Sequence, residues 1–116
     1  MIVQKYCTFF VKGSGDMEKR IFPEMKKHLG FGMMRLPMNG DNVDTEQVKR
    51  MVDLFLENGF NYFDTAHGYI NGLSELAVKE CLAKRHKREE YLLTDKLTGQ
   101  YFKTEADIRP FFCKPA

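Results

Sequence analysis

The stretch NYFDTAHGYING, residues 61–72, decides how this sequence folds. Its apolar start predicts a short buried strand, and that strand ends on the carboxylate of Asp64. A loop follows, in which Tyr69 lies between two glycines. A buried strand does not need an acid at its end, whereas reactive sites often place one there. The stretch therefore predicts a strand and a candidate site together.

The segment before this strand, DTEQVKRMVDLFLENG (44–59), predicts a helix. Asp44 is a favourable N-cap, and Gln47 follows three residues later, where a capping box requires it. Gly59 supplies the C-terminal stop. The apolar residues between them have the i, i+3, i+4, i+7 spacing of one buried helical stripe; they are Val48, Met51, Val52 and Phe55.

Further strands and helices alternate along the chain. Strands are predicted in HLGFGMMRLPM (28–38), FNYFD (60–64) and YLLTD (91–95). A second helix runs from Leu73 to about Arg85. Its inner face comprises Ala77, Val78, Cys81 and Leu82.

A third helix begins in TEADIRPFF (104–112), with Thr104 or Asp107 as its cap. Pro110 is compatible with that helix only in its first turn. Alternation of strands and helices builds a parallel sheet covered by helices, so the predicted fold class is α/β. Residues 1–16 read as an N-terminal extension, and 17–116 as one domain.

Composition narrows the classes of function. The 116 residues carry a net charge of only +2, which gives no argument for nucleic-acid binding. The apolar run 6–11 is too short for a membrane span and lacks a small-residue cleavage site, so neither a membrane segment nor a signal peptide is expected. The cysteines have no metal-ligand spacing, and their odd number fits a reducing cytoplasm; they are Cys7, Cys81 and Cys113.

Three polar residues are predicted to meet at one edge of the sheet. Asp64 ends one strand, Tyr69 lies in the loop after it, and Lys96 ends the next strand. Functional groups of parallel βα folds gather where strands end. A free tyrosine, with a pKa of about 10, gives up its proton poorly, but a nearby cation favours the phenolate. A tyrosine in that setting can act as a general acid toward a carbonyl oxygen.

Each of these residues also has an ordinary structural interpretation. Asp64 could open the following turn, Tyr69 could be a half-buried loop aromatic, and Lys96 could be a surface charge at a strand end. One such residue alone is weak support for a site. Three of them at successive strand ends favour the functional interpretation.

Three segments resemble the opening of an aldo/keto reductase: LGFGMMRLP (29–37), NGFNYFDTAHGYINGLSE (58–75) and REEYLLTDKLTG (88–99). The resemblance implies a (β/α)8 TIM barrel, of which this sequence holds about the first three βα units. It also implies reduction of small aldehydes or ketones with NADPH or NADH. The wording GMMRLP is similar to a bacterial branch with C-terminal iron–sulfur ligands, although no such cysteine cluster occurs here.

The resemblance also assigns roles to residues. Tyr69 would be the proton donor, and Asp64 and Lys96 would tune it. Gly32, Met33, Met34 and Arg35, together with Asp64, would lie near the nicotinamide end of the cofactor. No metal site is implied.

This chain departs from the family pattern in ways that affect activity. The family's fourth catalytic residue, a histidine, follows a later strand, and His67 is a loop residue that does not replace it. Most cofactor loops are also absent, and a complete barrel takes ~250 residues. We therefore expect a truncated reductase that is inactive alone.

Two other functions stay open. The chain could be an assembly module that completes a barrel with a second chain, or that self-associates through open sheet edges. It could also be a small flavodoxin-like domain, although Gly30 and Gly32 match a phosphate loop poorly.

Overall fold

A computed structural model describes residues 24–112 of the protein. The chain divides into two compact units, and the described residues 24–96 and 97–112 belong to different ones. The predicted extension 1–16, Cys7 and Cys113 lie outside the described residues.

The first unit contains five strands and two α-helices among its described residues. In chain order these are β1 (Gly30–Gly32), β2 (Met38–Asn39), β3 (Asn42–Val43), α1 (Thr45–Glu57), β4 (Tyr62–Asp64), α2 (Leu73–Val78) and β5 (Leu92–Thr94). Short 3₁₀ turns occupy Tyr69–Gly72 and Arg88–Glu90, and a π-helical turn, Lys79–Ala83, continues α2.

The main sheet is parallel and has the order β1-β4-β5. Phe63 in its centre pairs with Phe31 on one side and with Leu93 on the other. The α/β prediction is confirmed, and the arrangement is that of the first βα units of a barrel. The paired strands are shorter than predicted, with three residues each.

An antiparallel hairpin formed by β2 and β3 was missed by the sequence analysis. Met38 pairs with Val43, and Asn39 with Asn42, so the turn residues are Gly40 and Asp41. Gly40 has φ +62°, as the first central residue of a type II′ turn requires. The Gly-Asp pair, flanked by Asn39 and Asn42, is the turn signal that could have revealed the hairpin.

Helix α1 has its predicted ends, but only one of the two hydrogen bonds of the predicted capping box is present. The Asp44 carboxylate accepts the N–H of Gln47 at 3.0 Å. The N–H of Asp44, which a capping box would pair with Gln47, donates to the carbonyl of Pro37 at 2.8 Å instead. Gly59 has φ +84°, as expected just beyond a helix C-terminus.

The predicted apolar stripes are largely confirmed. Val48 and Val52 of α1 are fully buried. Met51 is 36% exposed and lies at the margin of the stripe, so its assignment to the core was wrong. All four residues predicted for the inner face of the second helix are buried: Ala77, Val78, Cys81 and Leu82.

Aromatic rings form the core between the sheet and α1. Phe63 is fully buried, and its ring centroid lies 5.6 Å from that of Phe31 and 5.2 Å from that of Phe55. Tyr91, immediately before β5, meets Phe63 edge-on. Contacts of this geometry stabilise beyond simple area burial, so Phe63 fixes the three strands relative to α1.

The second unit contains a 3₁₀ turn, Gly99–Tyr101, and helix α3, Glu105–Phe112. Thr104 precedes α3, and its N–H donates to the Asp107 carboxylate at 2.9 Å. Pro110 is the sixth residue of the helix, so its predicted position in the first turn was wrong. A proline there has no N–H to donate within the helix; α3 ends two residues later and forgoes that one bond.

Between residues 24 and 112, no helix is long and apolar enough to cross a membrane.

Candidate active site

The carboxyl ends of β1, β4 and β5 are aligned. Asp64, the last residue of β4, pairs with Gly32 on one side and Thr94 on the other. The ladder continues beyond the strands, since the N–H of Met33 donates to Asp64 O and the N–H of Thr65 donates to Thr94 O, both at 2.8 Å. Side chains that follow the three strands are therefore held at one edge.

Lys96 is the centre of a polar cluster at this edge. Its ammonium donates to the Asp64 carboxylate, to the phenol oxygen of Tyr69 at 3.1 Å and to the carbonyl of Thr65 at 3.3 Å. An ammonium has three N–H groups, and each has an acceptor here. The structure thus brings together Asp64, Tyr69 and Lys96, as the strand ends predict.

The surroundings keep Lys96 charged. Partial desolvation would lower the pKa of Lys96, but its hydrogen bonds with Asp64 and Tyr69 outweigh that effect. The pKa of Lys96 consequently lies above its ordinary value. The Lys96 side chain is 43% exposed and that of Asp64 29%, so the cluster faces open space.

Tyr69 is presented by a strained turn. Its N–H donates to Ala66 O at 3.1 Å. The next three residues, Ile70, Asn71 and Gly72, all have positive φ, at 51°, 52° and 87°. The left-handed conformation is unfavourable for a β-branched residue such as Ile70. Strain of this kind concentrates at functional sites. Here the three residues with positive φ connect Tyr69 to the start of α2.

A buried chain of hydroxyl groups supports the edge from below. Ser74 Oγ donates to Met33 O at 2.7 Å and lies 2.7 Å from Thr65 Oγ1. Serine has a single O–H, so Thr65 is the donor in the second bond. Thr65 and Ser74 are 1% and 0% exposed. Neither residue was predicted as part of the site; small hydroxyl residues among buried neighbours were the available signal.

A second ionisable cluster lies directly behind Lys96. His67 Nδ1 is 2.9 Å from Glu75 Oε2, and Asp95 Oδ1 accepts the N–H of Lys96 at 2.8 Å. Burial, and a hydrogen bond with Glu75, raise the pKa of Asp95 to about 7. His67 lies in the loop, as predicted. Neither segment of the sequence carries a local signal that Glu75 and Asp95 come together.

The residues predicted to line the cofactor differ in exposure. Gly32, Met34 and Arg35 are exposed, and a side chain built on Gly32 would meet nothing within 4 Å. Met33 instead has a fully buried side chain. Its N–H and C=O are engaged with Asp64 and Ser74, which leaves Met33 no side-chain surface for a ligand.

In the part of the chain that the structure describes, no group of three histidine, cysteine or acidic side chains could hold a metal ion. Cys81 is buried, and desolvation raises the pKa of its thiol. Its Sγ donates to the carbonyl of Thr45 at 3.6 Å. These are properties of a packing residue and not of a reactive thiol.

The similarity of this chain to known proteins covers the segments that carry Asp64, Tyr69 and Lys96. Residues 28–111 match the model of the aldo/keto reductase family. The chain is 38% identical over 64 residues to the Saccharomyces cerevisiae protein AAD14, which carries an aryl-alcohol dehydrogenase name. That match covers 55% of this chain and 17% of the yeast protein.

Proteins named norsolorinic acid reductase B are also similar. The Aspergillus parasiticus protein is 32% identical over 82 residues, or 71% of this chain and 21% of that protein. The Dothistroma septosporum protein is 32% identical over 88 residues, or 76% of this chain and 22% of that protein. The chain thus spans about a fifth of the length of these relatives. No solved structure gives a significant match.

Proposed function

The chain belongs to the aldo/keto reductase family, and we propose that Asp64, Tyr69 and Lys96 form the proton-donating side of a carbonyl reductase site. The observation that carries this proposal is the 3.1 Å contact between Lys96 Nζ and the phenol oxygen of Tyr69, with the Asp64 carboxylate on the same ammonium. Relatives named as a dehydrogenase and as reductases support the oxidoreductase class.

Tyr69 is the proposed proton donor. Lys96 donates a hydrogen bond to the phenol oxygen, so the phenol's own O–H is left to point toward a carbonyl oxygen. As that proton leaves, negative charge develops on the phenol oxygen beside the ammonium, which stabilises it. Asp64 keeps Lys96 charged and oriented. A positioned acid of this kind accelerates proton transfer by about 10²–10⁴-fold.

NADPH or NADH, when bound, would supply hydride to the carbonyl carbon. The exposed residues of the strand edge fit one side of such a cofactor, because Gly32 leaves open space and Arg35 offers a cation. Met34 adds an exposed apolar side chain. With Asp64 these residues form the proposed cofactor edge, from which the buried Met33 side chain is omitted.

The proposed substrate is a small aldehyde or ketone. Since one relative carries an aryl-alcohol dehydrogenase name, an aryl aldehyde is the first substrate to assay. We place residues 17–116 in the N-terminal portion of a barrel, with 1–16 as an extension. A cytoplasmic location, favoured by the separated cysteines, belongs to the same proposal.

Because the matched segment makes up only about a fifth of each relative, we propose that the isolated chain does not turn over by itself. The test is a hybrid protein, in which the matching segment of this chain replaces its 88-residue counterpart in the Dothistroma septosporum reductase. We expect the hybrid protein to oxidise NADPH or NADH in the presence of an aryl aldehyde. A folded hybrid that binds cofactor but reduces no carbonyl would contradict the proposed site.

A second candidate function is an assembly module. Within the described sheet, β1 and β5 each pair on one side only, and such edges favour addition of another strand. Leu54 and Leu76 are 62% and 57% exposed on α1 and α2. Mixing this chain with the remaining four-fifths of a relative should then restore reduction. A chain that stays monomeric and restores nothing would exclude this function.

A further inference from the structure

A second link between β4 and the β5 segment lies next to the contact of Asp64 with Lys96. The phenol oxygen of Tyr62 is 2.6 Å from Thr94 Oγ1. Tyr62 precedes Asp64 by two residues, and Thr94 precedes Lys96 by the same interval. Side chains two residues apart on a strand lie on the same face of the sheet. The Tyr62–Thr94 pair therefore repeats the Asp64–Lys96 link one step earlier along both segments.

Both links cross the sheet in the same diagonal direction. Tyr62 is in register with Leu92, and Asp64 is in register with Thr94. Each of these two β4 side chains thus reaches the residue two positions beyond its direct partner. Because the offset is common to both, a displacement of one segment along the other would change the two links together.

Gly30 makes room for the Tyr62 ring on the β1 side. The two residues are in register, and a Cβ on Gly30 would lie only 2.6 Å from Tyr62 Cδ1. Carbon atoms in contact are ~3.5–4.0 Å apart, so a side chain at this position would displace the ring. The ring is seated against the β1 backbone while its hydroxyl contacts Thr94 of β5, and Tyr62 therefore contacts all three strands.

The Tyr62–Thr94 pair lies on the face of the sheet that carries Asp64. Phe63 is buried on the opposite face, where its ring meets α1, and Leu93 is buried beside it in register. Tyr62 and Thr94 are half-buried, and partly buried oxygen atoms lose free energy when a hydrogen-bond partner is removed. The pair is separate from the aromatic core, so packing of that core does not account for it.

We propose that Tyr62 is a positioning residue for the Asp64–Lys96 link, and that it acts through its hydrogen bond with Thr94. The inference rests on the proposed function of the Asp64, Tyr69 and Lys96 cluster. Lys96 follows Thr94 by two residues, so a shift of Thr94 relative to β4 is passed along the backbone to the ammonium that binds Tyr69. A misplacement of about 1 Å can lower the rate of a catalysed step by about 100-fold.

Nuclear magnetic resonance on the full chain tests this inference without any turnover. Lys96 Nζ lies 5.0 Å from the centroid of the Tyr69 ring, so the nuclear Overhauser effect between the Lys96 ε-methylene and the ring protons reports their separation. Thr94→Val keeps the branched shape of the side chain and replaces its hydroxyl with a methyl group. It should weaken the effect at least about twofold, because a methyl group and the phenol oxygen separate to ~3.5 Å or more. An unchanged effect in this variant would overturn the proposal.

Thr94→Ser is the conservative variant, because it keeps the hydroxyl and removes only the methyl group. The Overhauser effect should stay at its parent strength in this variant. A loss as large as that in Thr94→Val would assign the change to packing of the methyl group and would contradict a role for the hydroxyl pair.

Tyr62→Phe tests the same hydrogen bond from its other end. This variant should also weaken the Overhauser effect, because Thr94 loses the phenol oxygen that holds it. The double variant Tyr62→Phe/Thr94→Val should be no weaker than the weaker single variant, since the two oxygens act as one unit. Losses that add in the double variant would contradict the proposed pairing.

Tyr91→Phe is the matched control. It removes a phenol oxygen from the residue before β5, whose ring meets Phe63 in the aromatic core. The Overhauser effect should not change in this variant. A weakening equal to that in Tyr62→Phe would mean that loss of any phenol oxygen disturbs the sheet, and it would overturn the inference.

Activity of the hybrid protein separates this inference from the proposed function. Thr94→Val in the hybrid should lower kcat by about 10-fold or more and leave the KM for the aldehyde nearly unchanged, because alignment of the proton donor matters in the transition state. An unchanged kcat would overturn the positioning role. A weakened Overhauser effect in a chain whose parent hybrid lacks activity contradicts the proposed function alone. An unchanged Overhauser effect with an active hybrid contradicts this inference alone.

Discussion

Two carboxylates at opposite ends of the sheet illustrate how differently this fold uses charge. At the amino end, Asp53 of α1 binds Arg85 at 2.5 Å and His86 at 2.9 Å. The hydrogen bond from Arg85 is the largest cause that holds the pKa of Asp53 below its ordinary value. At the carboxyl edge, burial and Glu75 raise the pKa of Asp95 to about 7.

The comparison shows that an ion pair alone does not indicate a functional site. Asp53 faces the opposite charge of Arg85, and its contacts with Arg85 and His86 join α1 to the residues that follow α2. Asp95 faces another acid, next to a lysine whose ammonium meets a phenol. Like charges brought together beside a reactive group are the arrangement that packing alone does not require.

The largest expected effect distinguishes two surface lysines. In the hybrid protein, Lys96→Met should lower kcat/KM by at least about 100-fold, because the phenol loses the charge that stabilises its anion. Lys84→Met is the matched control. Lys84 also binds a carboxylate, that of Glu80, at 2.6 Å, but it lies away from the strand ends. Equal losses of kcat/KM in the two variants would contradict a specific role for Lys96.

A second prediction concerns the support beneath the carboxyl edge. Ser74→Ala leaves the Thr65 hydroxyl and the Met33 carbonyl buried without their partner. The free energy of unfolding of the chain should fall by about 1–3 kcal/mol, as measured by urea denaturation. The control is Thr98→Ala, which alters an exposed residue and should change the free energy little. Equal stability of Ser74→Ala and the parent would show that this hydroxyl chain is not structural.

The third prediction uses the opposite pKa shifts of the two carboxylates. The pKa of Asp95 rises from an ordinary 3.8 to about 7 on folding. The stability it contributes is therefore complete below about pH 4 and is lost as the pH rises through about 7. Relative to Asp95→Asn, the parent should lose roughly 3 kcal/mol between about pH 4.5 and about pH 7.5.

Asp53 should show the opposite sign. Its lowered pKa contributes stability above the ordinary value, and that stability is lost as the pH falls. Denaturation of Asp53→Asn and Asp95→Asn across pH measures both effects. Difference curves of the same sign would contradict the opposite shifts at the two ends.

The smallest expected effect is at the amino end itself. Asp53→Asn should lower the free energy of unfolding by less than about 1 kcal/mol at neutral pH, because the Asp53 and Arg85 side chains are each about a third exposed. It should leave the activity of the hybrid protein unchanged. A large loss of activity would mean that the amino end communicates with the carboxyl edge.

The sequence predicted the meeting of Asp64, Tyr69 and Lys96, because parallel strands end at a shared edge and the residues after them must be near one another. It also predicted the helix that Asp44 caps and Gly59 ends, since capping residues and apolar stripes are local signals. The pairing of Arg85 and His86 with Asp53 joins two helical segments and has no local signal in either one.

Other features depend on side-chain direction, which a sequence pattern does not fix. Met33 follows a strand directly, yet its side chain turns inward. The pairing of Glu75 with Asp95 joins a helix to a loop and has no signature in either segment. Pro110 lies inside α3 because a short helix tolerates one missing bond near its end. The positions of Met33 and of the Glu75–Asp95 pair are decided by packing and not by local propensity.

The central claim is that the phenol of Tyr69 delivers a proton. The most direct measurement is the rate of aryl-aldehyde reduction by the hybrid protein with Tyr69→Phe, which removes one oxygen and keeps the ring. We expect a loss of at least about 100-fold with cofactor binding retained. A Tyr69→Phe hybrid that reduces the aldehyde as fast as the parent hybrid would contradict it.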